Sequence, residues 1–101
     1  MAKCNHCNPR TAHHSEKLKK DITTRLNRIE GQIKGVRTMI EQDIYCDDVL
    51  NQITSVQAAL GGVGMLLLEN HIKSCVVEQI NEGKTEVIDE LMATIRKMKR
   101  Q

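Results

Sequence analysis

A chain of 101 residues is long enough for one domain with a modest core. It contains a single aromatic residue, Tyr45, and one proline, so its core has to be built from aliphatic and methionine side chains, and its few strand-like patterns argue against an all-β fold. The net charge is only +2, so a nucleic-acid surface would depend on where the charges lie. Because no membrane span or signal peptide is visible, we expect a cytoplasmic protein.

Residues 1–15 have no apolar periodicity and carry the only proline, which predicts a flexible N-terminal tail. Cys4 and Cys7 form a C-x-x-C pair with His6 between them, a candidate accessory metal site. A zinc site needs four ligands on a fixed scaffold, which the tail does not offer. We therefore favour adventitious metal affinity here. In a reducing compartment, four cysteines beside four histidines indicate metal or redox chemistry more than structural disulfides.

The first helix is predicted to begin after Ser15, a suitable N-cap. Its apolar residues recur in alternating steps of four and three, which is typical of a helix that packs against another helix. They are Ile22, Leu26, Ile29, Ile33, Val36 and Ile40. The pattern ends at residues 41–43, and Asp43 is a predicted N-cap for the next helix.

The first helix is also basic. Its cations are Lys17, Lys19, Lys20, Arg25, Arg28, Lys34 and Arg37, against the acidic Glu16, Asp21 and Glu30. Such a charge count is most often an ordinary solvated face. The alternative is a phosphate-binding surface, which oligomerisation would multiply. No helix-turn-helix or zinc-finger signature accompanies it.

A second, unusually long apolar pattern runs from Cys46 to Ile80. Gly61, Gly62 and Gly64 lie inside it, each costing about 1 kcal/mol relative to alanine. They allow either a hairpin folded at 61–64 or a straight helix paired antiparallel with its copy in a second subunit. We favour the straight helix, because small residues let two backbones approach closely where the copies cross. Those residues are Ala58, Ala59, Gly61 and Gly62.

Two thiols and one imidazole on this helix predict a soft-metal site. His71 and Cys75 are four residues apart, which places both on one face of a helix. Cys46 lies 25 positions before His71, about 37 Å along a continuous helix. The three could therefore meet only across a subunit boundary. Three ligands without a fourth favour Cu(I) over Zn(II), and the first turn of a helix favours the thiolate form of Cys46.

Residues 81–84 are a predicted turn, with Gly83 just past the helix end. A third helix is predicted from Thr85 to about Lys99. Its inward residues are expected to be Val87, Ile88, Leu91, Met92 and Ile95.

The chain resembles the copper-sensitive operon repressor (CsoR) family over about residues 16–98. The resemblance rests on R-L-N-R-I-E-G-Q-I-K-G-V at 25–36, Y-C-D-D-V-L-N-Q-I at 45–53, S-V-Q-A-A-L at 55–60, H-I-K-S-C at 71–75 and I-D-E-L at 88–91. It implies an all-α protomer of three helices, assembled as an antiparallel four-helix-bundle dimer and a dimer of dimers. It also implies binding to double-stranded operator DNA that is lost when the ligand is sensed.

Within that family, the sensing positions match the copper branch, which has Cys, His and Cys, here Cys46, His71 and Cys75. The resemblance assigns outer-shell roles to Tyr45 and Glu90. It assigns DNA contact to Arg25, with Lys17, Lys20, Arg28, Lys34 and Arg37 as further candidates. Where relatives often carry Lys or Arg in the second helix, this chain has Gly61-Gly62, which shifts the expected DNA contact to the first helix.

These observations predict a repressor that senses Cu(I), with a copper chaperone as a further candidate partner. The alternatives are a persulfide- or thiol-responsive repressor of the same fold and a cytosolic copper-binding protein without a DNA role. An enzyme is not expected, because no nucleophile–base pair or open metal site is recognisable.

Overall fold

The structure, a computed structural model, describes residues 14–99. Throughout this range the chain forms helices and no strand, which confirms the all-α fold. The described residues fall into two compact units, His14–Leu67 and the residues from Leu68 onward. Within the same range, no helix is both long and apolar enough to cross a membrane. The predicted tail, apart from His14 and Ser15, lies outside the described residues.

Helix α1 comprises Glu16–Glu41. Its N-terminus is capped as predicted, because the Ser15 Oγ accepts a hydrogen bond from the Leu18 N–H at 3.1 Å. At the other end, Ile44 N–H donates to Met39 O at 3.0 Å and Asp43 N–H donates to Ile40 O at 3.1 Å. These bonds satisfy carbonyls that the last turn of a helix leaves without partners.

The prediction that Asp43 caps the second helix is wrong. Asp43 has a φ of 55°, the left-handed conformation of a residue that ends the preceding helix. Helix α2 begins three residues later, at Cys46. The N–H groups of Asp48 and Val49 donate to the Tyr45 carbonyl at 3.0 and 3.2 Å, so Tyr45 occupies the position before the first turn.

Helix α2 comprises Cys46–His71 and passes through Gly61, Gly62 and Gly64 without a break. The prediction of a continuous helix is therefore confirmed and the hairpin at 61–64 is excluded, while the antiparallel pairing with a second copy stays a prediction. Beyond His71 the helical path continues as a π-turn, Ile72–Val76, and a short helix α3, Val77–Asn81. The sequence therefore predicts where this helical segment begins and ends, but it does not predict the π-turn within it.

Gly83 ends α3 as predicted. Its φ is +83°, and the N–H groups of Gly83 and Lys84 donate to Ile80 O and Gln79 O, each at 2.9 Å. This pair of bonds is the usual left-handed helix ending. Helix α4 follows at Glu86–Lys99, within one residue of the predicted start.

Few apolar side chains are covered within the described part of one protomer. In the first unit the buried ones are Ile29, Val49 and Val63, and in the second they are Cys75, Val76 and Val87. The predicted inward positions are therefore only partly correct. The following large apolar residues are exposed: Leu26, Ile33, Ile40, Leu50, Leu60, Met65, Val77, Ile80, Ile88 and Met92. An apolar stripe of this width can contact two neighbouring helices. In this structure α1, α2 and α4 bury only part of their apolar residues, and α3 has no buried residue.

Gly83→Ala is expected to lower the free energy of unfolding by about 1 kcal/mol, since an L-residue is strained at positive φ. The matched control is Gly31→Ala. Both glycines have open space where a Cβ would be added, but Gly31 lies inside α1, where alanine is favoured by about 1 kcal/mol. Urea unfolding at one fixed protein concentration should give shifts of opposite sign. Equal shifts would contradict the left-handed assignment of Gly83.

Candidate metal centre and nucleic-acid interface

Cys46 is the first residue of α2 and carries an exposed, free thiol. The preceding side chain, Tyr45, is 70% exposed. Asp47 and Asp48 lie in the same first turn, where negative side chains interact favourably with the unpaired N–H groups of the helix. The thiol is therefore accessible to a metal ion or to another chain.

His71 and Cys75 lie where α2 passes into the π-turn. His71 is the last α-helical residue and is half-buried, whereas Cys75 lies in the π-turn and is only 4% exposed. Cys75 is disulfide-bonded in the structure, contrary to the sequence-based expectation, so it would bind a metal ion only after reduction. Ser74, beside Cys75, donates a hydrogen bond from Oγ to Asn70 O at 2.7 Å. Sequence reasoning missed Ser74, although its hydroxyl lies between two predicted ligands and such hydroxyls often bond backward along a helix.

Cys46 and His71 share one face of α2. At roughly 100° per residue, His71 lies about 20° from Cys46 around the helix axis. The exposed Leu50 and Leu60 lie within about 40° of Cys46 on the same face. We call Cys46, Leu50, Leu60 and His71 the ligand face of α2. Two predicted metal ligands thus belong to an apolar face on which Cys46, Leu50 and Leu60 are exposed and His71 is half-buried.

The described residues of one chain do not bring three ligands together. Among residues 14–99, no group of three His, Cys, Asp or Glu side chains is close enough to hold a metal ion. Of the other predicted site residues, Glu90 is exposed in α4. Cys4, His6 and Cys7 lie outside the described residues.

The predicted DNA-contacting cations are all exposed on α1: Lys17, Lys20, Arg25, Arg28, Lys34 and Arg37. Lys17, Arg25 and Arg28 fall within about 80° of one another, on one side of the apolar stripe. Within the described residues, none of the six is in an ion pair, whereas Lys19 pairs with Glu16 at 3.6 Å. These cations are therefore available to phosphate groups.

Comparison with known proteins identifies close relatives. The family model described as metal-sensitive transcriptional repressor matches residues 18–97. The copper-sensing transcriptional repressor CsoR of Bacillus subtilis (strain 168) is 48% identical over 86 residues, covering 84% of this chain and 85% of that protein. The copper-sensing transcriptional repressor RicR of Mycobacterium tuberculosis is 44% identical over 72 residues, covering 71% of this chain and 75% of that protein.

Two solved structures that resemble this fold are also metal-responsive transcriptional regulators. The Cu(I)-bound copper-sensing repressor CsoR of Geobacillus thermodenitrificans NG80-2 matches with a TM-score of 0.80 and 44% identity, covering 86% of this chain and 92% of that chain. The nickel-responsive transcriptional regulator InrS matches with a TM-score of 0.69 and 36% identity, covering 85% of this chain and 97% of that chain. With a family model spanning most of its length and a fold that matches both solved relatives, this chain belongs to the metal-sensitive transcriptional repressors.

Proposed function

We propose that this protein is a Cu(I)-responsive transcriptional repressor that acts in the cytoplasm. Metal-free protein binds operator DNA, and Cu(I) binding releases it, so that copper-resistance genes are expressed. The observation that carries the proposal is the donor set of Cys46, His71 and Cys75, with the exposed Cys46 and the half-buried His71 on one face of α2. The identity of 48% to a relative named as copper-sensing supports the choice of metal.

The metal site is formed by two copies of the chain. A helix that runs from Cys46 to His71 separates these residues by about 37 Å at about 1.5 Å per residue. An antiparallel copy of α2 lying on the ligand face would bring Cys46 of one protomer to His71 and Cys75 of the other. The exposed Leu50 and Leu60 on that face are the side chains such a partner would cover. Each dimer would then hold two equivalent sites.

The donor set fits Cu(I) in charge and softness. Two thiolates and an imidazole bind soft or borderline ions, and three donors suffice for an ion that accepts low coordination numbers. Bound Cu(I) would supply a link between the two protomers. Cys46 is accessible in the protomer, whereas Cys75 is 4% exposed, so Cys46 is the ligand that an incoming metal meets first.

DNA contact is assigned to α1. Lys17, Arg25 and Arg28 form a group of exposed cations without ion-pair partners among the described residues, and phosphate contact by such side chains dominates the affinity of DNA-binding proteins. A dimer, and further a dimer of dimers, would repeat this group along a duplex. The bound metal is expected to reach α1 through the assembly, with Tyr45 beside Cys46 and Glu90 in α4 as acceptors for the second imidazole nitrogen of His71.

Substitution of any one ligand should weaken Cu(I) binding by orders of magnitude. Cys46→Ala, His71→Ala and Cys75→Ala each remove one of three donors, while Cys4→Ala and Cys7→Ala should change the affinity far less. Competition with a colorimetric Cu(I) chelator measures this under reducing conditions. Tight binding that survives His71→Ala would favour the persulfide-responsive alternative, in which two thiols act without an imidazole.

Gly61→Ala should weaken the dimer, whereas Gly62→Ala should not. Neither glycine has an atom near an added Cβ within the protomer, so alanine should stabilise the isolated helix by about 1 kcal/mol at both positions. Gly61 lies about 60° from Cys46, toward the ligand face, and Gly62 lies about 160° away. Sedimentation over a dilution series measures the dimer constant. Equal behaviour of the two variants would contradict an antiparallel partner on the ligand face.

Operator binding decides between a repressor and a copper-binding protein without a DNA role. A mobility-shift titration on the DNA upstream of its gene should show binding by metal-free protein and release by Cu(I). His71→Ala should bind DNA but fail to be released. Glu90→Ala should keep most of its copper affinity yet lose much of the release, because allosteric coupling is separate from ligand binding.

In the same assay, Arg25→Ala should weaken binding of metal-free protein and reduce its salt dependence, since one phosphate contact is lost. Arg96→Ala, which removes the same charge from the last turn of α4, is the matched control and should have little effect. Absence of DNA binding by wild-type protein at low salt would exclude the repressor function.

A further inference from the structure

The π-turn sets the direction of Cys75 relative to His71. Val77 N–H donates to Ile72 O, five residues back instead of the four of an α-helix. One additional residue in a turn rotates everything after it by roughly 100° relative to a regular α-helix. His71 precedes the π-turn and Cys75 lies within it. The angle between these two side chains therefore depends on whether the backbone keeps the π-turn or changes to a regular α-helix.

Ser74 makes a hydrogen bond at the junction between the α-helix and the π-turn. Its Oγ donates to Asn70 O at 2.7 Å. In an α-helix that carbonyl accepts from the N–H four residues on, and in a π-turn from the N–H five residues on. The hydroxyl therefore provides Asn70 O with an additional donor that stays in place whichever pattern the backbone follows.

Three other hydroxyls donate to the carbonyl four residues back, and they provide an internal comparison. Thr38, Thr54 and Ser55 make these bonds at 3.2, 3.0 and 3.2 Å, each inside a regular α-helix. The Ser74 bond is the shortest of the four and the one at an irregular position. Backward bonding of this kind is known to bend helices, and here it coincides with the change of helix type.

The same hydroxyl also contacts a predicted metal ligand. The Ser74 Oγ lies 3.7 Å from the Cys75 Sγ, within hydrogen-bonding distance of sulfur. A serine hydroxyl has one hydrogen, which Ser74 donates to Asn70 O, and the disulfide-bonded Cys75 has no S–H to donate, so the approach of Oγ to Sγ is a packing contact. One side chain thereby joins the backbone immediately before His71 to the sulfur of Cys75.

We propose that Ser74 is a positioning residue, whose bond to Asn70 O holds the π-turn and thereby sets the direction of Cys75 relative to His71. The role of these two side chains as metal ligands rests on the proposed function, whereas the link between Ser74 and the π-turn does not. Ser74 itself is not a ligand in this proposal.

The test compares Ser74→Ala with Ser55→Ala in full-length, reduced protein. The two serines make the same type of bond, each to an asparagine carbonyl four residues back, but Ser55 lies in regular helix. Amide hydrogen exchange of metal-free protein over residues 74–78 should accelerate roughly three- to tenfold in Ser74→Ala, which corresponds to one lost hydrogen bond, and should not change in Ser55→Ala. Ser74→Thr should restore wild-type exchange, because threonine makes the same bond at Thr38 and Thr54.

The second readout is the affinity for Cu(I), measured by chelator competition together with the ultraviolet charge-transfer absorption of the copper–thiolate bonds. Ser74→Ala should weaken the affinity roughly three- to tenfold and change the absorption, with recovery in Ser74→Thr. Wild-type exchange and affinity in Ser74→Ala, or equal losses in Ser55→Ala, would overturn the proposal. If wild-type protein binds no Cu(I), the proposed function fails, and the exchange comparison still decides whether Ser74 holds the π-turn.

Discussion

The continuity of helix α2 is the constraint on which the function of this protein depends. The helix carries Cys46 as its first residue and His71 as its last, and a rigid α-helix cannot bring its own ends together. A chain that uses both residues for one ion must therefore obtain the remaining ligands from a second copy. Under the proposed function, metal binding and assembly would be one property, and a change in the ion content would act directly at the contact between protomers.

Burial leads to the same conclusion by a separate route. Among the described residues, the buried side chains are few and mostly small, such as Val49, Val63 and Val76, while larger ones such as Ile33 and Leu60 remain about half exposed. Burial of apolar surface is the main favourable term in folding, at about 25 cal/mol per Å². An isolated protomer leaves much of its apolar surface in contact with water, so it does not gain the full free energy of burial. Association would recover it, so the assembled state is expected to be the stable form of the fold.

Positive and negative charges are concentrated in different parts of the chain. No lysine or arginine occurs between Arg37 and Lys73, a stretch that contains Glu41, Asp43, Asp47, Asp48 and Glu69. Phosphate groups are repelled by such a surface and attracted by the cations of α1. Under the proposed function, helix α2 with Cys46 and His71 would therefore be kept apart from DNA electrostatically. A copper signal would then have to reach α1 through the packing of helices.

The sequence by itself determined the features that depend on adjacent residues. Ser15 caps α1 and Gly83 ends α3, because a hydroxyl beside free N–H groups and a residue without a Cβ each satisfy a local requirement. The placement of Cys46 and His71 on one face of α2 followed for the same reason, since spacing along a helix specifies its faces. Their role as metal ligands stays a prediction. Only the tertiary structure decided the left-handed conformation of Asp43, the side of each apolar stripe that is covered, and the π-turn between His71 and Cys75. These depend on neighbouring helices and on competition between hydrogen-bond patterns of similar energy, which local sequence does not specify.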